Sequence, residues 1–119
     1  MEIVKKRIEI RDKVVSEATE WVNGLKYRVS AVLIGSYARG DFNVWSDVDI
    51  ILISDEFKGN PVERLKKINV PPGYEVIPLT PKEFKKLLKK NDALAREAVE
   101  KGVKLRDDFR IFTTKENLS

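Results

Sequence analysis

The chain has 119 residues, a net charge of +4, and neither cysteine nor histidine. This excludes disulfides, thiolate or imidazole metal sites and a histidine general base. Any metal must be bound by oxygen, which favours Mg²⁺ or Mn²⁺, and any base must be a carboxylate, a lysine, a tyrosine or water.

Residues 2 to about 27 predict one amphipathic helix, with Val4, Ile8, Val15, Ala18, Val22 and Leu25 near helical spacing and Trp21 beside them. Asn23-Gly24 marks its end or weakens it. A buried strand is expected over Val29 to Ile34, followed by a Gly35-Ser36 turn and a short helical segment. A second strand is expected over Val48 to Ile53. After Gly59-Asn60-Pro61 comes a short helix striped by Val62, Leu65 and Ile68. Pro71-Pro72-Gly73 breaks the chain. Tyr74 to Leu79 predicts a third strand, and Pro78 points to a sheet edge. Thr80, Pro81 and Glu83 carry the signature of a helix start. That helix runs through Lys90 with Phe84, Leu87 and Leu88 on its apolar face. Asn91 or Asp92 caps a last helix ending near Gly102. Val103 to Leu105 and Phe109 to Phe112 suggest a late strand or hairpin, and the tail after Thr113 is expected to fray. The pattern is α/β (α+β): a small mixed sheet covered by helices, in a single domain over residues 1–119. No apolar run nears the ~20 residues that span a bilayer. The N-terminus lacks the apolar stretch of a secretion signal, so a cytoplasmic protein is expected.

The segment from Gly35 to Asp49 carries the chemistry. At a strand-to-helix turn, free backbone N–H groups favour an anion, and glycine lets a phosphate approach without meeting a Cβ. Serine adds a hydroxyl. An ordinary turn is the plain alternative. Asp47 and Asp49 share a strand parity and point to one side. Asp49 precedes four apolar residues, where an acid is costly unless paired or bound to metal. Two such acids near a phosphate turn suit a divalent-metal clamp of the two-metal kind. The plain alternative is a strand edge with solvated acids. Glu75, at the start of the third strand, is the candidate third acid, as metal ligand or general base; a solvated glutamate is equally consistent. Arg39 could neutralise a phosphate or lie on the surface. Tyr37, Phe42 and Trp45 in the motif loop suit base stacking, a partner contact or core packing.

Gly35-Ser36, Ala38-Arg39-Gly40 and Ser46-Asp47-Val48-Asp49-Ile50 together resemble the nucleotidyltransferase motif of the polymerase β superfamily. The chain is most similar to its minimal nucleotidyltransferases of archaea and bacteria. Glu75-Val76-Ile77, Thr80 to Phe84 and Ala98 to Val103 extend the resemblance over roughly Val29 to Leu105. It implies the nucleotidyltransferase fold, with Gly35 and Ser36 on the triphosphate and Asp47, Asp49 and Glu75 around Mg²⁺. The reaction implied moves a nucleoside monophosphate, most often AMP from ATP, to a hydroxyl. Glutamate replaces the aspartate that many relatives carry as third acid. The family also implies a small helical HEPN partner, to which the chain would act as antitoxin.

Two other readings stand beside it. A non-catalytic antitoxin would neutralise its partner by binding alone. A nucleic-acid module would use Lys82, Lys85, Lys86, Lys89 and Lys90, but the nearly balanced charge argues against it. A homo-oligomer is a further way to present an acceptor to so small a domain.

Overall fold

The computed structural model describes residues 2–112. In chain order the elements are α1 (Glu2–Asn23), β1 (Ser30–Ile34), α2 (Gly35–Arg39), β2 (Val48–Ile53), α3 (Pro61–Lys66), β3 (Tyr74–Leu79), α4 (Pro81–Lys89), α5 (Ala93–Lys101) and β4 (Val103–Asp107). The strands form one mixed sheet in the order β3-β2-β1-β4. β1 pairs antiparallel with β2 and β4, while β2 and β3 run parallel. Crossing from β2 to a parallel neighbour requires a long connection, and α3 supplies it.

Every residue of β1 is buried. A central strand covered on both faces reads as a continuous apolar run rather than an alternating one. Ala31, Leu33, Ile50, Leu52 and Val76 pack on one face against Ala18 and Val22 of α1 and against Phe57 and Ile68. Val32, Ile34, Ile51 and Ile53 pack on the other face against Phe84 of α4 and Ala95 and Ala98 of α5. Gly102 closes the second layer: a Cβ there would collide with Val32 of β1 and the Ala98 carbonyl. Its bare backbone lets the end of α5 lie directly on the central strand.

The predicted capping chemistry is present. Thr80 and Glu83 form a reciprocal capping box at α4, and Asn60 and Glu63 form another at α3. Asp92, rather than Asn91, caps α5 by accepting from the Leu94 N–H at 3.0 Å. β3 lies at the sheet edge, where Pro78 is tolerated.

α1 ends at Asn23, so Asn23-Gly24 marks its end and the helix stops short of residue 27. The end of α1 and the turn after it find a tertiary partner, because Arg106 of β4 donates to the Val22 and Leu25 oxygens, each at 2.9 Å. Val4 and Ile8, on the expected apolar stripe, are exposed, in the half of α1 whose Arg7 and Arg11 bond to the motif loop. Val62 is also exposed, and Ile68 packs from beyond the end of α3. Of that stripe only Leu65 and Ile68 pack against the core. Phe109 to Phe112 is not a strand. After β4 the chain turns, and Ile111 and Phe112 fold onto the α4–α5 layer instead. The tail expected to fray, after Thr113, lies outside the described residues.

Candidate active site

The motif is held by α1. Arg11 donates from Nε to the Tyr37 carbonyl at 2.8 Å and from a terminal nitrogen to the Ala38 carbonyl at 3.0 Å. Arg7 donates to the Gly40 and Phe42 carbonyls. Its guanidinium also lies 4.5 Å from the centre of the Phe42 ring. These bonds satisfy the last carbonyls of α2, and the two positive charges sit at its negative end. The Phe42 ring stacks in turn on Tyr37, centroids 4.5 Å apart. Of the loop aromatics, Phe42 is therefore a buried anchor, whereas Trp45 is 87% exposed.

Gly35 sits at the junction of β1 and α2 with φ of 78°. That left-handed conformation favours glycine, and space requires it too. A Cβ at Gly35 would collide with the Asp49 carboxylate. The turn and the acid are thus packed directly together. Ser36 follows, with its carbonyl accepting the N–H groups of Gly40 and Asp41 at 2.8 and 3.1 Å.

Asp49 opens β2. It pairs with Ile34 of β1 on one side and with Glu75 of β3 on the other. Register partners on neighbouring strands project to the same face. Asp49 and Glu75 therefore stand side by side at the sheet end that carries the Gly35 turn. Asp49 is half-buried, and Glu75 is exposed. Asp47 lies just ahead of β2, in the loop, and is exposed. Burial raises the Asp49 carboxyl to about 6, assisted by the charge and hydrogen bond of Glu75 and by the charges of Asp47 and Glu97. All the expected acids thus act on one point. They do not close into a ligand set: among the described residues, no group of three or more acidic side chains is drawn together tightly enough to hold a metal ion. Like charges in one place spread apart, and Asp47, on its loop, has the freedom to do so.

Arg39 projects from the end of α2 and bonds to two acids. Its Nε reaches Asp41 at 3.2 Å, and a terminal nitrogen reaches Glu97 at 2.8 Å. Glu97, on α5, was not among the sequence candidates. The same Glu97 oxygen accepts the Gly35 N–H at 2.8 Å. No local pattern marks Glu97, because its partners come from a distant part of the chain. Arg7 and Arg11 were missed for the same reason. The lysines of α4 are all exposed and lie on its outer side.

The donors present fit a hard divalent cation by chemistry. Asp47, Asp49 and Glu75 offer only oxygen, the donor type such a cation prefers. A family model described as "Nucleotidyltransferase domain" matches residues 11–119. Among curated proteins, none matches. One solved structure, of an inferred nucleotidyltransferase from Sulfolobus solfataricus, is similar in fold with a TM-score of 0.58 and 21% identity. The match covers 82% of this chain and 84% of that one.

Proposed function

We propose, from the premise that this chain belongs to the nucleotidyltransferase-domain family of the polymerase β-like superfamily, that it transfers a nucleoside monophosphate from a nucleoside triphosphate to a hydroxyl. The observation that supports this best is the side-by-side placement of Asp49 and Glu75 against the Gly35 turn. Asp49 and Glu75, with Asp47 from the loop, would hold Mg²⁺. When bound, Mg²⁺ offsets charge on the triphosphate and helps to align it. Gly35 offers its N–H and Ser36 its hydroxyl to phosphate oxygens, and Arg39 supplies a positive charge. The acceptor oxygen bonds to the α-phosphorus, the bond to the β-phosphate oxygen breaks, and pyrophosphate leaves with that electron pair. Glu75, the one acid of β3 and an exposed one, accepts the hydroxyl proton.

ATP is the preferred donor on this reading, and the acceptor hydroxyl belongs to a small helical protein of the HEPN type, the chain serving as its antitoxin. The exposed apolar residues Val4 and Ile8 of α1, with Val44 and Trp45 of the motif loop, support a protein partner. The chain works as one nucleotidyltransferase domain. Incubation with α-labelled ATP, Mg²⁺ and the candidate partner labels the partner, and Asp49→Asn abolishes the label. Failure to label with any of the common nucleoside triphosphates overturns the catalytic reading.

One observation favours a second reading. Because the acids do not close into a ligand set, the chain would act by complex formation alone. Neutralisation that survives the Asp47→Ala, Asp49→Ala double variant supports binding alone; its loss from an intact complex supports catalysis.

A further inference from the structure

Glu97 stands where the proposed reaction needs an anion from outside. One of its oxygens holds both the Gly35 N–H and the Arg39 guanidinium, each at 2.8 Å. These are two of the three groups assigned above to the triphosphate. Ile34, which precedes α2, has no capping side chain, so the carboxylate of α5 fills that role from a distance. We propose that Glu97 is a placeholder for phosphate: it occupies the Gly35–Arg39 pair in the free protein and must be displaced before a triphosphate can bind. This inference rests on the nucleotidyltransferase reading for its ligand, and Glu97 is a positioning residue rather than a catalytic one.

The surroundings make the exchange feasible. A cavity of about 310 Å³ opens beside the contact, lined by Arg39, Arg96, Glu97, Glu100 and Lys101 with Ala93. Glu97 and Lys101 are four residues apart on α5, in the order that favours an ion pair along a helix. Arg96 offers a second cation. A displaced Glu97 carboxylate therefore finds positive charge without leaving its own helix. Arg39 keeps Asp41 at 3.2 Å as its second partner, so it stays oriented during the exchange.

A contact made only in the free protein opposes binding without touching the transition state. Its loss therefore lowers KM and leaves kcat unchanged. We expect Glu97→Ala and Glu97→Gln each to bind nucleotide about tenfold more tightly at low salt, an effect that added salt reduces. A Glu97 that serves only as a cap predicts the reverse: Glu97→Ala weakens binding, and Glu97→Gln, which keeps an oxygen for Gly35, restores it.

The decisive experiment titrates wild type and both variants with inorganic tripolyphosphate by calorimetry, alongside the kinetics. Tighter tripolyphosphate binding by both variants supports the placeholder, even if no nucleotidyl transfer is found; that combination would sink only the enzymatic reading. Equal or weaker binding by the variants, or no binding by any form, overturns the placeholder whatever the kinetics show.

Discussion

Asp49 and Glu75 are register partners across the parallel pairing of β2 and β3, two acids held on one face at one end of the sheet. The backbone ladder sets this proximity, so the two charges cannot relax by moving their strands apart. Burial of Asp49 first, and the neighbouring Glu75 second, raise its affinity for a proton.

That raised affinity makes stability depend on pH in a definite direction. The Asp49 carboxyl titrates at about 6 in the fold against a reference of 3.8. The folded state therefore keeps a proton that the unfolded chain has lost in this window. The contribution is fully present below the reference value and is lost as pH rises through about 6. Asp49→Asn mimics the protonated state. Its melting temperature should exceed that of the wild type at neutral pH without metal and converge on it in acid. An equal difference at both pH values would contradict this account.

A divalent cation should relieve the same repulsion. Millimolar Mg²⁺ is expected to raise the melting temperature of the wild type at neutral pH, because a ligand that binds only the folded state stabilises it. The rise should vanish in Asp49→Asn and shrink in Glu75→Gln. Thermal unfolding across a Mg²⁺ series checks this, with K⁺ at matched ionic strength as control.

Gly35→Ala carries two separable penalties. The left-handed backbone costs an L-residue about 1–2 kcal/mol, and the new Cβ strikes the Asp49 carboxylate. Adding Asp49→Ala should recover the second part and leave the first. A double-mutant cycle from denaturant unfolding should therefore show the pair destabilised by less than the sum of the two single changes. Strict additivity would mean that the turn and the acid do not touch in solution.

Arg64 ties α3, β3 and α4 together. It is buried and donates to the Pro78 carbonyl at 3.0 Å and to the Glu83 carboxylate at 2.7 and 3.2 Å. Arg64→Ala should cost about 2–3 kcal/mol, below the full cost of breaking a buried pair, because Glu83 is half exposed. Glu83→Gln should cost less. The Arg64 hydrogen bond holds the Glu83 carboxyl below its usual value, so this stabilisation is present above the unfolded carboxyl range and lost as pH falls through the folded one. Urea unfolding at neutral and acidic pH should show the Glu83→Gln effect only at neutral pH.

Much of this was legible in the chain. β2 and β3 occupy the expected residues, and the α4 capping box follows from Thr80, Pro81 and Glu83. Those signals are local, because caps and apolar runs act within a few residues. The same local reading placed Val4 and Ile8 on one helical stripe with Val15 and Val22 but could not tell which part of that stripe is buried, because spacing identifies a helix face and not what lies beneath it.

By itself the sequence determined the chemistry available: oxygen ligands only, a glycine–serine turn, and acids at strand starts, since composition and short-range spacing are written in neighbouring residues. Only the tertiary structure decided which acid meets which. The parallel register brought Glu75 to Asp49, and the packing of α5 on β1 brought Glu97 to Gly35, its partner 62 residues away. Such meetings depend on strand order and helix docking, which arise from burying both faces of the sheet at once and leave no trace at the positions themselves.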